Sequence, residues 1–132
     1  MGLLRGFDVT TGVLSIDVVY FLVGEEAIAH LAERPSLWKY LECEAGPYSG
    51  GSTSGCSIPN DYWVVNENSL VRSLPLARDA LIKLIPWPSC CEPVATNRAA
   101  LGVRAGAEPP LLISFDVNEA GRITAVTEVY TP

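Results

Sequence analysis

The chain has 132 residues and fits a single domain, residues 1–132. It is 48% hydrophobic and 18% charged, which is apolar enough to build a core and too apolar for a disordered chain. The net charge is −6, with nine Lys plus Arg against fifteen Asp plus Glu and no two basic residues adjacent. Nucleic acid and anionic membrane are therefore excluded as partners, because both require clustered cations to neutralise phosphate.

The N-terminal stretch MGLLRGFDVTTG lacks the apolar core and small-residue cleavage site of a signal peptide. It also lacks the Ser or Thr at position 6 that myristoylation needs. The longest apolar run, residues 18–23, has the length of a strand and not of a membrane span. As written, the chain is expected to be cytoplasmic. A leader removed from it would make it secreted or anchored instead.

Residues 3–9 and 13–22, joined by TTG, predict a β-hairpin. Leu14, Ile16, Val18, Tyr20 and Leu22 alternate onto one face, and Gly12 gives the turn its backbone freedom. Residues 24–35 predict the one helix. Its apolar stripe is Ala27, Ile28, Leu31 and Ala32, with Glu25 and Glu26 at the positive end and Pro35 as the stop. Residues 35–60 hold a short strand or turn and then a Gly/Ser/Pro loop, GPYSGGSTSGCSIPN. A loop this long is functional or mobile.

Strand character returns at residues 62–68. Residues 69–77 read as an edge strand, since Pro75 has no N–H for a second neighbour. Residues 80–85 are ambiguous between helix and strand, residues 86–93 form a rigid loop, and residues 99–106 predict another short strand. A second hairpin closes the chain over residues 111–130, with Leu111, Ile113, Phe115 and Val117 on one face and Asn118 and Gly121 at the turn.

Cys43, Cys56, Cys90 and Cys91 allow three pairings. Free thiols are the plain reading, with a loop-closing Cys43–Cys56 disulfide beside it. The spacing matches no zinc pattern. The Gly-rich loop has no Lys-Ser/Thr pair and so is not a phosphate cradle. The only histidine, His30, lies among Ala27, Ile28, Leu31 and Glu33, where it reads as half-buried packing. General acid–base chemistry would fall to carboxylates such as Asp17, Asp61 or Glu128. No cofactor or metal is expected.

The stretch NDYWVVNEN, residues 60–68, is the candidate site. Asp61, Tyr62, Trp63 and Asn66 offer flat apolar walls with polar handles. Neighbours on a strand face opposite ways, so Tyr62 and Trp63 are not expected to share a face. The competing reading is a strand whose start is fixed by Asn60 and Asp61.

Three segments, GFDVTTGVLSIDVVYFLVGEEAIAHL, NDYWVVNENSLVRSLPL and ITAVTEVYTP, resemble a family of small bacterial proteins of uncharacterised activity, many of them secreted or lipid-anchored. The matching positions include Asp17, Val18, Val19, Phe21, Leu22 and Gly24, then Asn60, Asp61, Tyr62, Asn66, Arg72, Leu74 and Pro75. Trp63 departs from the pattern. The resemblance implies no activity, but it draws Asp61, Asn66 and Arg72 together as a polar cluster. More weakly, LLISFDVNEAGRITAVTEVY is similar to the last hairpin of domains related to nuclear transport factor 2, which include small isomerases and hydrolases.

The reading is a mainly β (α+β) chain: a small closed or strongly curved β-barrel, OB-like, with one short helix. Its expected function is non-catalytic binding of a small molecule or a protein. The ligand-binding candidates are Asp61, Tyr62, Trp63, Asn66 and Arg72. The alternative is a small pocket enzyme of the nuclear-transport-factor-2-like cone fold. Homodimerisation by strand addition, through an edge strand such as the last one, is the third route.

Overall fold

The computed structural model describes residues 1–67 and 69–131. Strand accounts for 42% and helix for 19%, so the chain is mainly β, as its alternating patterns predict. Among the described residues the elements run β1 (Gly2–Asp8), β2 (Val13–Val18), β3 (Tyr20–Val23), α1 (Gly24–Ala32), β4 (Glu42–Cys43), β5 (Cys56–Ser57), β6 (Tyr62–Val65), β7 (Val71–Leu84), β8 (Val94–Thr96), α2 (Arg98–Arg104), β9 (Leu111–Val117) and β10 (Ile123–Glu128). They fall into two compact units, Met1–Val19 with Asn66–Pro132, and Tyr20–Val65.

The first unit is a six-stranded sheet in the order β10-β9-β1-β2-β7-β8. β10 also pairs with β7 in parallel, so five of the strands form a partly closed ring with β8 outside it. Both predicted hairpins are present. In the first turn the Asp8 Oδ1 accepts the N–H groups of Thr10 and Thr11 at 2.9 and 3.1 Å, and Gly12 takes φ 71°. In the last, the Asn118 Oδ1 accepts the Arg122 N–H at 3.0 Å.

Alternation along the strands points one side chain in two into the ring. Leu4, Leu14, Ile16, Ile113, Ile123 and Val126 are all no more than 1% exposed. Each fully buried side chain of this size contributes about 1.5–3 kcal/mol. Gly2 permits a close approach of β1 to β2, because a Cβ there would stand 2.3 Å from the Ile16 Cγ2.

The sheet settles four sequence expectations. Residues 69–77 carry an edge, as Pro75 predicts: Val71–Pro75 pair with β2 alone, and only from Leu76 on does β7 gain β10 as a second neighbour before it ends at Leu84. Pro75 is tolerated because it pairs only with Val13 of β2, and the β10 ladder begins at Leu76. The ambiguous run 80–85 continues the same strand. Residues 99–106 are helix rather than strand. The Asn97 Oδ1 accepts the Ala100 N–H at 3.0 Å, and Leu101 and Ala105 turn into the core. Finally, β10 is flanked by β9 and β7, so the last strand offers no edge for dimerisation.

In the second unit β3 pairs with β6 and β4 with β5, each antiparallel. The strand predicted over residues 13–22 breaks at Val19, and its second half becomes β3. Helix α1 buries Ala27 and Leu31 against Leu41 and Ile58. A 3-10 turn over Pro35–Tyr40 follows, with proline in its first turn. The β4–β5 register sets Cys43 opposite Cys56, and the two form a disulfide. For this pair the free-thiol reading is overturned. Among the described residues no helix is long and apolar enough to cross a membrane.

Candidate functional site

The start of β6 is built from left-handed backbone. Asn60 and Asp61 both have φ 58°, a conformation that Asn and Asp tolerate better than most residues. The turn is closed by the Asp61 N–H, which donates to the Ile58 carbonyl at 3.2 Å. It delivers Tyr62 and Trp63 onto β6 in register with Val23 and Leu22 of β3.

The two rings then part, as strand alternation requires. Tyr62 stacks on Phe21, with centroids 5.1 Å apart and planes at 20°. Trp63 lies on the other face, packed on the α1 cluster, and its ring meets Tyr40 at 5.0 Å and 46°. Tyr40 comes from the 3-10 turn, which is held to the end of α1 by the Trp38 indole N–H donating to the Ala32 carbonyl at 2.9 Å.

Between them is a cavity of about 390 Å³ lined by Tyr40, Pro59, Asn60, Tyr62, Trp63 and Val64. Its size falls in the range of small-molecule sites. Three consecutive β6 residues line it, so residues of both strand faces border it. Tyr62 and Trp63 thus border one cavity although their rings point opposite ways. The Lys39 ammonium lies 5.1 Å from the centre of the Tyr40 ring.

The other candidates lie elsewhere. Asp61 is exposed beside the cavity and does not line it. Asn66 belongs to the first unit and donates its Nδ2 to the Asp17 Oδ2 at 2.9 Å. Arg5 donates to the same oxygen at 3.1 Å. Asp17 is 1% exposed, and its Oδ1 has no hydrogen-bond partner. The polar cluster that forms is therefore Arg5, Asp17 and Asn66. Arg72 is exposed on β7 opposite Ile16.

Glu128 is also buried, and both its oxygens are engaged. Oε1 accepts from Arg104 at 2.7 Å and Oε2 from the Ile85 N–H at 2.8 Å, while Arg104 also donates to the Ile85 carbonyl at 3.0 Å. That arrangement clamps one backbone residue. His30 is half-buried on α1. The Gly-rich loop is pinned at both ends by the disulfide, and within it the Tyr48 hydroxyl donates to the Gly51 carbonyl at 2.9 Å. Among the described residues no group of three or more His, Cys, Asp or Glu could hold a metal ion.

Sequence reasoning found Tyr62 and Trp63 but missed Tyr40 and Pro59 as walls. The aromatic pair in SLWKYL was the available signal for Tyr40. No protein-family model, curated protein or solved structure matches the chain.

Proposed function

We propose that the protein is a non-catalytic binding module whose site is the aromatic cavity on β6. The observation that carries this reading is the convergence of Tyr40, Tyr62 and Trp63 with Pro59 around one opening. Aromatic walls supply a large contact area at low cost in conformational entropy, and Asn60 adds a polar residue to the lining.

The scaffold is read as a small OB-like barrel. Its support is the circuit β1-β2-β7-β10-β9, closed by one parallel pair, with α2 placed between β7 and β9. The Cys43–Cys56 disulfide favours an oxidising compartment over the cytoplasm. The cone-fold enzyme reading has less behind it: the chain opens on a hairpin, and the buried carboxylates Asp17 and Glu128 bind neighbouring groups of the fold.

The test is a thermal-shift screen of the protein against a metabolite library, with Tyr40→Ala and Trp63→Ala in parallel. A ligand at about 100 times its Kd adds roughly 2.7 kcal/mol to stability. Stabilisation that both folded variants lose supports the site. Stabilisation that neither variant changes sinks it.

A further inference from the structure

The cavity is lined by three residues of a strand with one partner, and that narrows the ligand. β6 pairs with β3 on one side, and among the described residues no third strand pairs with it on the other. In an antiparallel pair, alternate residues direct their N–H and C=O toward the partner and the rest point away. Half of the backbone groups of Tyr62–Val65 therefore face outward, on the edge away from β3. Such a row is a template for an added strand unless something blunts it. Here there is neither proline within β6 nor a charged side chain on it.

The electrostatics select the kind of strand. Within Tyr20–Val65 the acidic residues are Glu25, Glu26, Glu33, Glu42, Glu44 and Asp61, against Arg34 and Lys39. Six against two leaves −4 on these residues, out of −6 for the whole chain. A second copy of the chain would bring the same negative charge to the edge and be repelled. A basic segment would be attracted. The Tyr40 wall already accepts an ammonium on its ring face, that of Lys39.

We propose that β6 receives an extended, lysine- or arginine-bearing peptide segment of another protein. The segment adds to the outer edge of Tyr62–Val65 by main-chain hydrogen bonds and seats a side chain between Tyr40 and Trp63. This rests on the reading of the cavity as the binding site. The backbone supplies affinity, the aromatic pair anchors, and the net negative charge of Tyr20–Val65 favours a basic partner.

The experiment is a titration of the 15N-labelled full chain, followed by its amide and indole resonances. Four capped peptides are used. One alternates lysine with valine, and one replaces each lysine by glutamate. The other two are lysine peptides N-methylated at every second residue, one in each register. Binding of the lysine peptide is expected to shift the Tyr62–Val65 amides and the Trp63 indole. Tyr40→Ala, at an exposed residue that folding tolerates, is expected to weaken it about tenfold, as loss of an aromatic anchor does. The glutamate peptide and one N-methylated register are expected not to bind.

Equal binding of the glutamate peptide, or binding that survives N-methylation in both registers, overturns the proposal. So does self-association of the chain through the same amides. If tryptamine, an aromatic amine without a peptide backbone, binds at Trp63 while no peptide does, the cavity reading stands and strand addition falls. If neither tryptamine, the peptides nor any library metabolite moves these resonances, both fall.

Discussion

At Asp61 the backbone conformation decides what a substitution does. With φ 58° any Cβ crowds the following carbonyl, at about 1–2 kcal/mol, and Asp offsets this through the local hydrogen bonding of its short polar side chain, which alanine lacks. Asp61→Ala is therefore expected to lower stability by about 1 kcal/mol and Asp61→Gly to leave it near the parent value, as read from urea denaturation midpoints. Equal losses for both would mean the carboxylate matters instead. Glu128 differs, since its two oxygens hold a buried N–H and a partly buried guanidinium. Glu128→Ala strands both and is expected to cost about 3 kcal/mol, whereas Glu128→Gln, which keeps an acceptor and the shape, should cost about 1. Denaturant titration separates the two. Tyr62 and Trp63 stood out in the sequence because aromatics beside an Asn-Asp turn are uncommon furniture for a plain strand. Tyr40 did not, because its approach to Trp63 depends on the path of the more than twenty residues between them.

Elements were legible where their signals are local. Period-two alternation and the turn residues Gly12, Asn118 and Gly121 mark both hairpins, and Glu25, Glu26 and Pro35 bracket α1. α2 was misread because its seven residues include Gly102 and the β-branched Val103, which lower helix propensity. The Asn97 cap and the burial of Leu101 override that propensity. In β7 the edge around Pro75 was legible, since Pro75 lies just before the second ladder begins, but the continuation of the strand to Leu84 was not, because a short apolar run fits helix and strand alike. The close approach of β1 to β2 gives a test at this scale. Gly2→Ala would drive a Cβ to 2.3 Å from the Ile16 Cγ2, so the strands must separate or Ile16 must leave its rotamer. The expected loss is about 1–3 kcal/mol, with the Ile16 methyl resonances displaced. A mutant as stable as the parent would show that β1 slides freely.

For the whole molecule, the succession of alternating segments gave the mainly β class, but neither the ring nor the division into two units. Ring closure joins β7 to β10 in parallel across about forty residues of sequence, and no local turn announces such a pair. The two units have separate cores, one around Leu14, Ile16 and Val126 and the other around Ala27, Leu31 and Ile58. Only the second contains the Cys43–Cys56 disulfide, which closes a loop with a sequence separation of 13. Cys43→Ser with Cys56→Ser is expected to remove about 3 kcal/mol from that unit. Hydrogen exchange should then speed up at the amides of β4, β5 and α1 and stay slow in β1 and β9. Uniform loss of protection would mean that the units unfold as one body.

The register of β2 and β7 carries one more consequence. Asp17 and Val71 are paired neighbours at the end of that ladder, so everything between them leaves and returns through a single gap. Antiparallel strands can be joined across such a gap by a two-residue turn. In chain order the Tyr20–Val65 unit is thus an insertion between two paired strands, and a different insert at that point would leave every strand pairing of the ring unchanged.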